Sequence, residues 1–150
     1  MRPRYLRQEF DRCLLSLDGH DYPTEYRWLR AHGFKGLTPW HCLDDAPVAA
    51  VWRQEFAAGA GDGSIPVRDI LPFACAQHMD DVAGFVVSGG AVTPHVCVAH
   101  LTWNGKPEEP GWPSYVLFPD VWDWFRAVCA ESQEWCSAEE LTDLTDNVMD

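Results

Sequence analysis

The chain has 150 residues, 47% of them hydrophobic, with eight Trp, seven Phe and four Tyr, which is enough apolar material for the core of one globular domain. Its 23 acidic and 11 basic residues give a formal net charge of −12, which disfavours direct binding to nucleic acid or anionic membranes and favours basic partners. No apolar run reaches the roughly 18 residues of a membrane span, and no secretory signal opens the chain, so we expect a cytoplasmic protein that does not enter membranes.

The first third of the chain has the periodicity of two amphipathic helices. The first is expected over residues 4–17, where apolar residues recur at spacings of four, four and three, and it is expected to stop at Gly19. The second is expected to open at Pro23 and to end at Gly33, because proline is tolerated in the first helical turn and glycine adopts the left-handed conformation that follows the last. Its apolar face consists of Tyr22, Tyr26 and Leu29.

An extended segment and a third helix follow. Pro39 predicts extended backbone from Phe34 to Leu43, because proline and the residue before it avoid helical geometry. Asp44 or Asp45 is expected to cap the third helix, which ends at a glycine-rich loop over residues 59–63. The residues at helical spacing are Val48, Val51, Trp52, Glu55 and Phe56. Residues 65–68 are a further candidate for a short strand or lead straight into the next segment.

The segment over residues 70–127 contains the apolar centre of the chain. Two Val-rich runs, 82–87 and 96–101, predict neighbouring strands joined by a turn at 88–91, and residues 115–118 predict an edge strand. A helix is expected to start at Asp120. On it, Val121, Trp124 and Phe125 share one face and are predicted to be buried, whereas Trp122 is predicted to be partly exposed.

These elements predict a single α+β domain with N-terminal helices, a mainly antiparallel twisted sheet and a Trp-rich C-terminal helix packed on that sheet. The domain core is expected to extend from about residue 22 to residue 130. Residues 131–150 carry seven acids and no Lys or Arg, and they are expected to form an acidic C-terminal segment with a short helix after Ser137.

Several short motifs in this order resemble the SUKH superfamily, the bacterial immunity proteins related to a fungal cell-wall-assembly regulator. The motifs are Glu25–Arg30, Gly33–His41, Ile70–Ala74, Asp80–Phe85, the strand that ends at His100, and Trp122–Ala127. The resemblance implies the same α+β fold and a non-catalytic protein that binds and neutralises a cognate toxin. The alternative that it leaves open is a regulatory or scaffold module with an endogenous protein partner. Because the partner surfaces of this superfamily vary, no binding residue is carried over from it.

The candidate toxin-binding residues therefore come from surface chemistry alone. Many toxins that attack nucleic acid are basic, so clustered carboxylates with aromatic anchors beside them favour such a partner. The carboxylates are Asp80, Asp81, Glu108 and Glu109, and the anchors are Trp103 and Trp112.

The cysteines and histidines predict neither catalysis nor a cofactor. Six cysteines are scattered without a Cys-x-x-Cys pair, and the two Cys-x-x-His pairs, at 75/78 and 97/100, are the best candidates for a metal. If residues 96–101 form a strand, Cys97 and His100 point to opposite faces and cannot share an ion. The chain also lacks a Gly-x-Ser-x-Gly elbow and a phosphate-binding loop. We therefore expect no enzyme, no metal site and no cofactor.

Overall fold

The computed structural model describes residues 10–60, 65–76, 80–101 and 114–136. Three helices lie in these ranges, namely α1 (Thr24–Ala31), α2 (Ala46–Ala60) and α3 (Val121–Trp135). A short hairpin is formed by β1 (Ser16–Leu17) and β2 (His20–Asp21). Six further strands are β3 (Gly36–Leu37), β4 (Trp40–Cys42), β5 (Ile70–Ala76), β6 (Asp81–Ser88), β7 (Ala91–His100) and β8 (Ser114–Phe118). The predicted α+β class is confirmed.

The six strands form one antiparallel sheet in chain order, β3-β4-β5-β6-β7-β8. The turn between β6 and β7 uses Gly89 and Gly90, whose φ angles of 59° and 79° suit glycine, and this confirms the predicted turn. In the middle of β6, a Cβ on Gly84 would stand 2.8 Å from Cδ1 of Ile70. Glycine at this position therefore lets β5 and β6 pack with a large side chain between them.

An aromatic cluster fills the space between one face of the sheet and the helices α1 and α3. The ring of Phe73 lies at the centre, with its centroid 5.0 Å from Tyr26 of α1 and 4.8 Å from Trp124 of α3. Tyr22 donates a hydrogen bond from its hydroxyl to the carbonyl of Pro72. The cluster joins both helices to the two central strands, so α3 packs on the sheet as the sequence predicts.

The helix α2 packs along β5 on the other face of the sheet. Side-chain alternation along β7 places Leu101 on the face opposite His100, and there a methyl group of Leu101 lies 3.6 Å from where a Cβ on Gly59 would stand. No helix of the described ranges is long and apolar enough to span a membrane.

The start of α2 distinguishes the two candidate caps. Asp45 accepts a hydrogen bond from the backbone N–H of Val48 and is the cap, whereas Asp44 turns back to pair with Arg30 of α1. The extended segment over 34–43 is confirmed as the β3–β4 hairpin. Gly33, with φ of 90°, follows the end of α1 as predicted.

The prediction of one helix over residues 4–17 is wrong from residue 12 onward. Helical backbone ends at residue 11, and Leu17 is buried from the strand β1 instead. Asp18 and Gly19 have φ angles of 52° and 80°, which make the two-residue turn of the β1–β2 hairpin. An Asp-Gly pair is a strong hairpin signal, and it outweighed an apolar spacing that also fits a helix.

The predicted apolar face of α2 is partly wrong. Val48 and Val51 are exposed. The buried face consists of Ala49, Trp52, Phe56 and Ala60. These four residues recur at spacings of three, four and four and so share one helix face, and burying Trp52 and Phe56 removes more apolar surface from water than burying the valines would. Residues 65–68 form no strand, although Ile65 and Val67 are buried.

Along α3 the predicted burial holds in part. Val121 and Trp124 are buried, Trp122 is half-buried as predicted, and Phe125 is half-buried rather than part of the core. Asp120 accepts a hydrogen bond from the backbone N–H of Asp123, which confirms the predicted start of the helix. The predicted C-terminal helix after Ser137 lies outside the described residues.

Candidate functional site: an acidic cluster at one end of the sheet

Two of the predicted partner-binding carboxylates lie where the chain enters β6. Asp80 has φ of 53°, in the left-handed region that Asp and Asn tolerate better than most residues, and it turns the chain into the strand. Asp81 is the first residue of β6 and lies opposite His100, near the end of β7. The His100 Nδ1 atom is 2.7 Å from Asp81 Oδ1, so the imidazole donates a hydrogen bond to this carboxylate.

The last turns of α3 bring a third carboxylate to the same end of the sheet. Glu131 accepts a hydrogen bond from the indole Nε1 of Trp40 at 2.9 Å, which fixes this part of the helix against β4. Burial raises the pKa of Asp81, the His100 contact opposes this rise, and the negative charges of Glu131 and Asp80 add to it. We call Asp80, Asp81, Glu131 and His100 the acidic cluster.

Among the residues that the structure describes, no Lys or Arg forms an ion pair with a carboxylate of the acidic cluster. Elsewhere, three arginines neutralise nearby acids: Arg30 pairs with Asp44, Arg53 with Asp18 and Asp69, and Arg126 with Asp123. Within the described ranges, the ion pair of this cluster is the one between Asp81 and His100, and His100 carries a charge only when it is protonated. The cluster can therefore attract and bind a cationic group supplied by another molecule.

The raised pKa of Asp81 predicts an unusual pH dependence of stability. The folded protein holds this proton to a higher pH than the unfolded chain, so stability falls as pH rises from the ordinary pKa of 3.8 through the raised value. Asp81→Asn removes the charge and keeps an oxygen that accepts from His100. We expect this variant to be at least as stable as the parent at pH 7 and to lose that advantage at pH 3, as measured by urea unfolding. If Asp81→Asn were less stable than the parent at pH 7 and equally stable at pH 3, the result would contradict a raised pKa of Asp81.

The other predicted contacts, Trp103, Glu108, Glu109 and Trp112, lie outside the described residues. Glu131 was not among the predicted contacts, and His100 was predicted only as the end of a strand and as a candidate metal ligand. Counting back from the Gly-Gly turn, where Ser88 pairs with Ala91, would have placed Asp81 opposite Val98. The bulge between Phe85 and Val87 shifts the register by two residues, so that His100 lies there instead. No sequence signal connects Glu131 with Asp81, because their proximity depends on how α3 packs.

Two of the cysteine and histidine candidates that the structure describes, His41 and Cys75, lie close together. His41 on β4 lies opposite Cys75 on β5, and its Nε2 atom is 3.1 Å from the sulfur. Burial raises the pKa of Cys75 to about 11, so this side chain is a thiol rather than a thiolate at neutral pH and a poor nucleophile. Cys97 and His100 stand on opposite faces of β7, as predicted.

Among the residues whose positions are described, no three Cys, His, Asp or Glu side chains converge in an arrangement that would hold a metal ion. His78, the remaining member of the predicted Cys-x-x-His pairs, lies outside the described residues.

Comparisons of the chain with protein-family models, with curated proteins and with solved structures found no match.

Proposed function

We propose that this protein is a non-catalytic immunity protein of the SUKH type, which binds a cognate basic toxin in the cytoplasm and neutralises it. The observation that carries the proposal is the acidic cluster, in which the charges of Asp80 and Glu131 act on Asp81 and no Lys or Arg among the described residues forms an ion pair with any of the three. Holding like charges together in a partly buried place raises the energy of the free protein. A cationic partner relieves that repulsion, so the cluster favours the bound state over the free protein.

The charge of the whole chain supports the same partner class. With a formal charge of −12, the protein attracts basic proteins over a distance comparable to the Debye length, about 8 Å at physiological salt. Electrostatic steering of this kind raises association rates, and the bound acidic surface then occupies the place of a nucleic-acid substrate on the toxin. Both effects weaken as salt rises.

The proposal is tested by capturing partners with the purified protein from a lysate of its own source, at low and at moderate salt. A basic protein that is retained less well at moderate salt, is toxic when expressed alone and is harmless when co-expressed supports the proposal. An endogenous, non-toxic partner captured at the same surface favours the regulatory or scaffold alternative and overturns the immunity function.

The contribution of the acidic cluster is measured on the captured partner with two charge-matched variants. Asp80→Asn with Glu131→Gln removes two charges, tolerates the left-handed φ at position 80 and keeps an acceptor for Trp40. Its control, Asp21→Asn with Glu55→Gln, removes two charges from exposed positions elsewhere. We expect the association rate to fall about tenfold in the first variant and about twofold or less in the second. Equal rates for both would mean that the cluster is not the contact.

A further inference from the structure

A surface groove opens beside the starts of α1 and α3, at the opposite end of α3 from the acidic cluster. Its volume is about 290 Å³, and Phe85, which is otherwise buried, contributes to its lining. The remaining lining residues that matter here are Pro23, Glu25, Pro94, Pro119, Asp120 and Trp122. Three prolines give the groove rigid, apolar walls, so it needs little ordering to accept a ligand.

An exposed tryptophan extends the aromatic surface of this groove. Trp28 on α1 is 48% exposed, and its ring centroid lies 5.9 Å from that of Trp122, with the two planes inclined at 62°. His32 stacks on Trp28 at a centroid distance of 3.7 Å, which holds the indole in place. A large aromatic side chain that is held in position and left half in solvent has the character of a binding anchor.

The charged groups at the groove are acidic. Glu25 and Asp120 both line it, and no Lys or Arg does so among the described residues. Two arginines of the same helices have partners of their own, since Arg27 donates to Thr24 and Arg126 pairs with Asp123. Asp120 accepts the N–H of Asp123 with one oxygen, which leaves acceptor capacity on its carboxylate.

We propose that this groove binds an arginine side chain presented by a partner polypeptide. Its guanidinium stacks on the indole of Trp122, contacts that of Trp28 and donates hydrogen bonds to the carboxylate of Glu25, while its aliphatic stem lies against the prolines. A planar guanidinium fits this combination better than the ammonium of lysine, because it can stack on an indole and form paired hydrogen bonds with a carboxylate at once.

The groove is a separate site from the acidic cluster. Asp120 and Glu131 are 11 positions apart along the helix, which corresponds to roughly 16 Å at 1.5 Å per residue. The inference therefore does not depend on the proposed immunity function, and it concerns only the chemistry that the groove accepts.

The test is a titration of the ¹⁵N-labelled full-length protein with the blocked dipeptide acetyl-Ala-Arg-amide, followed through the indole N–H resonances. Matched titrations use the citrulline analogue, which keeps the shape and loses the charge, and the lysine analogue. We expect saturable shifts of the Trp28 and Trp122 indole signals, with binding about tenfold weaker for citrulline and severalfold weaker for lysine. Glu25→Gln is expected to weaken the arginine peptide about fivefold, and Trp135→Ala, which changes another exposed tryptophan, to leave it unchanged.

Three results would overturn the inference. Equal binding of the citrulline peptide would show that charge is not recognised. Shifts centred on the Trp40 indole, which contacts Glu131, would place the cation at the acidic cluster instead. An absence of saturable shifts at Trp28 and Trp122 would show that the groove does not bind arginine. A toxin that binds only through the acidic cluster would be compatible with each of these results, so the two proposals fail separately.

Discussion

Replacing Trp124 by alanine is expected to lower the free energy of unfolding by about 3–5 kcal/mol, the largest effect of any single substitution considered. The side chain is 1% exposed. Its ring meets Phe34 at 6.2 Å, Trp40 at 6.0 Å and Phe73 at 4.8 Å, in each case near perpendicular. These contacts connect α3 with the hairpin β3–β4 and with the central strand β5. Alanine would leave a cavity that rigid neighbouring rings cannot fill.

The measurement is urea unfolding followed by circular dichroism, together with the melting temperature, which we expect to fall by about 10 °C or more. Trp135→Ala is the matched control, because it removes the same side chain from the exposed end of the same helix. Its cost should stay within about 1 kcal/mol. If both substitutions cost the same, the aromatic cluster would not be the main contact between α3 and the sheet.

The second large effect is expected at the ion pair between α1 and the start of α2. The side chain of Arg30 is 2% exposed, and two of its nitrogens each lie 2.7 Å from an oxygen of Asp44. Asp44 also accepts the backbone N–H of Leu14 at 3.0 Å. Asp44→Ala leaves a buried guanidinium without its counter-charge, and we expect a loss of about 2–4 kcal/mol because one partner of the pair is still partly solvated.

Two companion variants separate the ion pair from simple loss of a side chain. Asp45→Ala, one position along, removes only the helix cap and should cost about 1 kcal/mol. Adding Arg30→Met to Asp44→Ala removes the unpaired positive charge of Arg30, so the double variant should recover part of the lost stability. A double variant less stable than Asp44→Ala would mean that Arg30 contributes mainly through packing and its contact with Tyr26.

The ion pair also has a predicted pH signature, opposite in sign to that of Asp81. Burial would raise the pKa of Asp44, but the hydrogen bonds from Arg30 and Leu14 outweigh it and lower the pKa. Its contribution to stability is therefore complete above the ordinary pKa of 3.8 and is lost as pH falls through the lowered value. The stability difference between the parent and Asp44→Ala should accordingly shrink only below about pH 4.

Local patterns were sufficient to predict those elements whose backbone conformation is fixed by nearby residues. Gly89 and Gly90 predict the turn between β6 and β7, Pro23 and Gly33 bracket α1, and Asp120 caps α3. In each case the residue that sets the structure is adjacent in sequence to the structure that it sets. The α+β class follows from these elements and their order.

Two mistaken predictions show where local patterns were ambiguous. The apolar spacing up to Leu17 fits a helix as well as it fits the buried side of a hairpin. The Asp18-Gly19 turn makes the chain form the hairpin. In α2, both the valines and the alanines recur at helical spacing. Which stripe is buried depends on how closely the helix approaches β5, and that distance is a property of the packed structure.

The same distinction between local pattern and packing applies to the candidate site. The large negative charge and the adjacent acids Asp80 and Asp81 can be read without any fold, because they depend on composition and on neighbouring residues alone. The link of His100 and Glu131 to this pair, and the contact of Trp28 with Trp122 beside an acidic groove, required the folded structure. These residues are distant along the chain, and they come together because strand register and helix packing are set by burial of the aromatic core.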